Sequence, residues 1–146
     1  MGPAAGTGEP LPIIGLTMGD PRGVGPELLR VGMERLVGQA RWRVYGDPSL
    51  FEGLEAELIP AGGTVPQRDA VEHAAADLSE GRVDGVVTGP VDKRAFGGDF
   101  PGHTELFQRR LDAPEVAMLL TGPELSVVPM TTHVPLRDVA DALTTD

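Results

Sequence analysis

The chain has 146 residues, enough for about one domain. Hydrophobic residues make up 40% and aromatics only 4%, so a core must rest on aliphatic side chains, and a wholly disordered chain is disfavoured. The net charge of −10 disfavours binding to a nucleic-acid backbone, and the lack of cysteine excludes disulfides, thiolate catalysis and Cys-based zinc sites. In chain order, residues 1–11 have neither a basic start nor an apolar stretch, and read as a disordered leader and not a signal peptide. No run approaches the roughly 18 apolar residues of a membrane span. A cytoplasmic location, with no membrane or nucleic-acid partner, is therefore expected.

Pro12–Thr17 is a short apolar run that predicts a buried strand. Met18–Gly25 is a loop, and Pro26 and Glu27 suit the first turn of a helix over PELLRVGMERLVGQA. Leu28, Leu29, Met33, Leu36 and Val37 fall roughly on one face of it. Trp42–Tyr45 reads as a second strand, and GDPSLFEGLEAEL as a turn and short helix capped by Asp47 or Ser49. After a loop over 60–66, Gln67–Glu80 is an alanine-rich helix ended by Gly81. Val83–Thr88 is a strand, Gly89–Pro101 a glycine-rich loop, and HTELFQRRL a helix. Val116–Leu120 and Leu125–Met130 predict two strands, a possible hairpin around GPE, before a loop and a last helix in TTHVPLRDVADAL.

Alternation of strands and helices argues for an α/β fold with a mostly parallel sheet, mixed if the hairpin joins it. Residues 12–146 are expected to form a single domain.

Ligands of open α/β sheets gather at the carboxyl ends of strands. Three segments fall there: TMGDPRGVGPE, TGPVDKRAFGGDFPGHTE and TTHVPLRD. In the first, Gly19, Gly23 and Gly25 permit close approach, either of a ligand or of a neighbouring chain segment. In the second, Lys93 is a candidate cation for a phosphate or carboxylate. His103 and Thr104 are candidate hydrogen-bonding groups at a helix start. The plainer reading makes Thr104 a helix cap, His103 a surface residue and Lys93 solvated. In the third, His133 is either structural or a metal ligand or acid/base group. His73 lies mid-helix among alanines and suggests no special role. Asp20, Asp92 and Asp138 are carboxylates whose spacing demands no metal.

Together the three segments resemble, in order and spacing, the 4-hydroxythreonine-4-phosphate dehydrogenases of pyridoxal phosphate biosynthesis. The resemblance spans TMGDPRGVGPE, VVTGPVDK with FPGHTE, and MLLTG with LSVVPMTTHVPLRDV. It implies a layered fold like isocitrate and isopropylmalate dehydrogenases and a homodimer acting on a small phosphorylated hydroxy-amino acid. It also implies NAD and a divalent metal (Zn, Mg or Co) as cofactors. His103 and Thr104 would bind substrate, and His133 would be a metal ligand. The implied reaction is oxidation of a secondary alcohol by NAD, followed by decarboxylation of the β-keto acid; the metal would acidify the hydroxyl and then polarise the carbonyl.

Members of that family are roughly double this length, so the chain corresponds to their N-terminal half. The remaining metal histidines, the cluster for the substrate phosphate and most NAD contacts lie in the other half. The stretches from Gly46 to the TGP motif and from Lys93 to Phe100 are shorter here, and Asp92 replaces a usual Asn. Two alternatives stand beside the dehydrogenase. One is a truncated, inactive or partner-dependent fragment; the other is a relative acting on erythronate or threonate 4-phosphate.

Overall fold

The computed structural model describes residues 10–96, 102–131 and 134–143. The leader expected over 1–11 lies almost wholly outside them. The chain divides into two compact units, one running to Asp112 and one beginning at Ala113.

The first unit is built on a four-stranded sheet: β1 (Ile13–Thr17), β2 (Arg41–Gly46), β3 (Glu57–Pro60) and β4 (Gly85–Thr88). The order is β3-β2-β1-β4, and every pairing is parallel. Helix α1 (Gly25–Arg35) joins β1 to β2, and α2 (Pro66–Ser79) precedes β4. Side chains alternate across the sheet, so each face receives its own helix. Leu16 and Val44 point to one side and pack with Met33 of α1 and Phe51. Tyr45 points to the other and packs with Ala61, Ala70 and Ala74. The alanine stripe of α2 lets that helix lie close to the sheet, which explains how a chain poor in aromatics fills its core.

Two sequence expectations are corrected, and a third point, left open between a parallel and a mixed sheet, is resolved. First, α1 ends at Arg35, and its core side is Leu29 and Met33; Leu28, Leu36 and Val37 are exposed. Val24, Leu28 and Val31 thus leave an apolar stripe on its outer side. Second, the helix expected after Asp47 is only a 3-10 turn, Pro48–Phe51, and residues 57–60 form β3 instead. Asp47 does cap the turn, accepting from the Ser49 amide at 2.9 Å. Gly53, at φ +80°, separates the turn from the strand. Third, the hairpin does not mix with the main sheet.

Two short helices complete the first unit, α3 (Lys93–Phe96) and α4 (His103–Arg110). The second unit contains β5 (Leu120–Thr121) and β6 (Ser126–Val127), an antiparallel pair forming a sheet of their own. Strand pairing covers much less than the expected 116–120 and 125–130. A 3-10 turn, Leu136–Asp138, then leads into α5 (Val139–Ala142).

Candidate functional site

Strand order reverses between β1 and β4, because the chain leaves β1 toward β2 on one side while β4 lies on the other. The carboxyl ends of these two strands are where an open α/β sheet offers a ligand crevice. The first two sequence segments meet there. Gly89 donates its amide to the Thr17 carbonyl at 2.9 Å and to Thr17 Oγ1 at 3.2 Å, and the Asp20 amide donates to the Pro90 carbonyl at 2.8 Å. The two loops are stitched together by their backbones.

The glycines serve that stitching. A Cβ on Gly19 would overlap the Pro90 carbonyl oxygen, one on Gly25 would overlap that of Met18, and one on Gly89 would lie 2.6 Å from that of Thr17. Of the two uses open to Gly19 and Gly25, approach to a neighbouring chain segment is the observed one.

Around the stitched loops lie charged groups from both. Asp20 accepts from Arg22 through Nε (3.2 Å), through Nη2 (3.3 Å) and through its backbone amide (3.0 Å). The Arg22 side-chain bond chiefly holds the Asp20 carboxyl below the usual range. On the other loop, Asp92 accepts from the Arg94 amide at 2.9 Å, and its charge also reaches Arg22.

α4 brings His103 to the same end of the unit. Gly102, and not Thr104, is its N-cap, and no side chain caps the helix. His103 is half-buried, which disagrees with the surface reading. Its imidazole is held below the ordinary value, first by burial and then by the charge of Lys93. Lys93 is exposed, as the plainer reading had it, and its charge reaches His103 ten positions on. Thr104 is exposed. Arg110, at the far end of α4, clasps Glu72 of α2 with two bonds of 2.6 and 2.8 Å and so fixes the helix. His73 is exposed on α2, in keeping with its unremarkable place in the sequence.

The depressed imidazole has a stability consequence. An unfolded histidine takes up a proton near pH 6.5, whereas folded His103 does so at lower pH. Its contribution is therefore complete above pH 6.5 and is lost as pH falls through the folded value. NMR titration of the histidine ring protons should give a His103 midpoint below the ordinary histidine value of about 6.5, and denaturation midpoints should fall on acidification below pH 6.5.

The third segment belongs to the second unit. Its Thr132 and His133 lie outside the described residues. Among the described residues no three His, Asp or Glu side chains converge to hold a metal ion, so these groups alone do not fit a divalent cation. A hollow of about 330 Å³ opens at the carboxyl side of β2 and β3, bordered by Met18, Pro21, Asp47, Pro60 and Pro66. A larger one, about 710 Å³, lies at the opposite, amino end of the strands and is lined by neither histidine nor lysine. The smaller hollow has neither histidine nor lysine either, and the larger one includes Arg41, so it is topology that favours the carboxyl end.

Sequence reasoning missed Gln67 and Asp77. Gln67 is buried at the start of α2 and bonds the backbone of Asp92 twice. Asp77 is buried on the same helix against Tyr45, Arg43 and Arg82. A polar residue on the alanine face of a helix was the available signal for both.

These observations define a parallel α/β unit with its candidate ligand groups on the loops where strand order reverses. The chain belongs to the pyridoxal phosphate biosynthetic protein PdxA family, whose model matches residues 60–146. It is 33% identical to a 4-hydroxythreonine-4-phosphate dehydrogenase of Thioalkalivibrio sulfidiphilus, over 91% of this chain and 52% of that protein. It is 30% identical to a D-threonate 4-phosphate dehydrogenase of Cupriavidus necator, over 88% of this chain and 51% of the relative. That alignment runs to 171 positions, more than the 146 residues here, so the relative has residues inserted within the shared region. A 4-hydroxythreonine-4-phosphate dehydrogenase structure from Burkholderia phymatum superposes with a TM-score of 0.75 at 24% identity, covering 91% of this chain and 53% of that one. The chain spans about half the length of the curated relatives it matches. Among the described residues, no helix is long and apolar enough to cross a membrane.

Proposed function

We propose that this chain supplies the substrate-recognition part of an NAD- and divalent-metal-dependent dehydrogenase. Its substrate would be 4-hydroxythreonine 4-phosphate, oxidised and decarboxylated in pyridoxal phosphate biosynthesis. The observation that carries this reading is a half-buried His103, within reach of the charge of Lys93, at the end of the unit where strand order reverses. An ammonium there offers a charge to a phosphate or carboxylate oxygen. A neutral imidazole beside it can donate or accept a hydrogen bond, and the Thr104 hydroxyl adds a second polar contact. In the acidic cytoplasmic protein proposed here, this local cation decides where an anionic substrate settles.

His133 is proposed as one ligand of a Zn, Mg or Co ion. The remaining donors and the NAD contacts would come from residues beyond those described or from another chain. An isocitrate and isopropylmalate dehydrogenase-like layering and a homodimer complete the proposal. The exposed apolar stripe of Val24, Leu28 and Val31 supports a partner of some kind, because contiguous exposed apolar surface favours association.

A partner-dependent or inactive fragment is the second reading, favoured by the half-length match to the relatives. NADH formation from 4-hydroxythreonine 4-phosphate, with each metal added in turn, separates the two. Under the first reading the chain turns over and His133→Ala abolishes activity. Absence of turnover by the pure chain, with metal binding unaltered by His133→Ala, contradicts it. D-threonate 4-phosphate, run in parallel, tests the substrate named for the Cupriavidus relative.

A further inference from the structure

We propose that Gln67 is a positioning residue that sets the place of Lys93 by gripping the peptide of Asp92; this rests on the reading of Lys93 as the substrate's cation. Gln67 is the second residue of α2 and only 3% exposed. Its Oε1 accepts from the Asp92 amide at 3.0 Å, and its Nε2 donates to the Asp92 carbonyl at 3.3 Å. Both halves of the side-chain amide are used, so Gln67 does for this loop residue what a neighbouring strand does for a residue in a sheet. The side chain of Asp92 plays no part in that grip; its Oδ1 accepts from the Arg94 amide.

Beyond the Gly89 stitch, the loop therefore has two further backbone clamps on the way to Lys93. At Pro90 its carbonyl accepts from the Asp20 amide of the first loop. At Asp92 it is held by Gln67 of α2. Lys93 follows directly as the first residue of α3, and the Phe96 amide closes that turn onto the Asp92 carbonyl at 2.9 Å. A displaced Asp92 would carry the origin of α3 with it. The same α2 also holds α4, through Glu72 and Arg110. One helix thus indexes both the loop of Lys93 and the helix of His103, and the relative placement of the two groups is set by a rigid element between them. A glutamine that only filled space or satisfied a buried peptide would affect stability and nothing else. A positioning glutamine also affects recognition, because small misplacement of a binding group is costly.

The test is a double-mutant cycle on the full chain, read by calorimetric titration with 4-hydroxythreonine 4-phosphate. Gln67→Leu removes both bonds and should weaken binding by about tenfold or more. In the Lys93→Met background the same change should have little further effect, because Gln67 acts through Lys93. Equal effects in both backgrounds, or none in either, overturn the proposal.

A second readout is independent of substrate. His103 feels the charge of Lys93, so its NMR titration midpoint should rise in Gln67→Leu as the lysine moves away; an unchanged midpoint in a folded variant overturns the proposal. Should Gln67→Leu not fold, Gln67→Met, which is also uncharged and loses both bonds while keeping the length of the side chain, takes its place under the same criteria. Wild-type binding that Lys93→Met does not weaken counts against the substrate reading alone, and the His103 midpoint then decides the role of Gln67.

Discussion

Gly19→Ala should destabilise the first unit by about 3 kcal/mol or more, from two additive sources. The first is conformational. Gly19 has φ +73°, where an L-alanine is strained by roughly 1–2 kcal/mol. The second is steric. The new Cβ would overlap the Pro90 carbonyl oxygen, and that oxygen is the acceptor for the Asp20 amide. Relief requires the β1 and β4 loops to part, which breaks the stitch on which the candidate site rests. Gly38→Ala separates the two sources. Its φ is +76°, yet a Cβ there meets nothing within 4 Å, so it should show the conformational cost alone. Urea denaturation of both variants checks the pair. Equal midpoints for the two would mean that the contact with Pro90 carries no weight.

Asp77→Ala should cost about 3–5 kcal/mol, the range for removing one partner of a buried ion pair. Asp77 accepts from Tyr45 Oη at 2.7 Å and from Arg82 Nε at 2.7 Å, and Arg43 Nε lies 3.1 Å from its other oxygen. Without it, a buried phenol loses its acceptor, and the largely buried Arg43 guanidinium keeps only the more exposed Glu57, 3.1 Å away. Arg82 is partly exposed and recovers water, which places the cost toward the lower end.

Burial alone would raise the Asp77 carboxyl. The bonds from Tyr45 and Arg82, with the charges of Arg43 and Arg82, outweigh it and hold the group below the ordinary value. A depressed carboxyl stabilises the fold above its unfolded value, near pH 3.9, and loses that contribution as pH falls through the folded value. Tyr45 behaves oppositely: burial first, then its bond to Asp77, push it up. Its contribution is intact below about pH 10 and fades at higher pH as the unfolded phenol ionises. Denaturation midpoints of Asp77→Ala measured across pH should therefore lack part of the acid and alkaline dependence seen in wild type. Parallel profiles would show that the network is not coupled to stability.

Much of the first unit was legible in the sequence. β1 and β2 follow from apolar runs, and α2 from its alanine-rich run ended by Gly81. β3 was not legible, because EAEL is composed of good helix formers; pairing with β2 and the break at Gly53 override that preference. α1 was read as too long and with too wide an apolar face, because exposed Leu36 and Val37 continue a periodicity that packing does not use.

The meeting of the first two loops at one end of the sheet followed from the βα pattern. What remained hidden was the non-local part. No spacing reveals that the charge of Lys93 reaches His103, that Gln67 holds Asp92, or that Gly19 and Gly25 serve the chain's own backbone.

The most direct test of the central claim is equilibrium binding of 4-hydroxythreonine 4-phosphate to the chain, with Lys93→Met, His103→Asn and exposed His73→Asn as companions. Saturable binding that weakens by about tenfold or more in the first two variants and is unchanged in the third is the predicted result. Binding that is absent in wild type, or equal in all four proteins, would contradict a substrate site at Lys93 and His103.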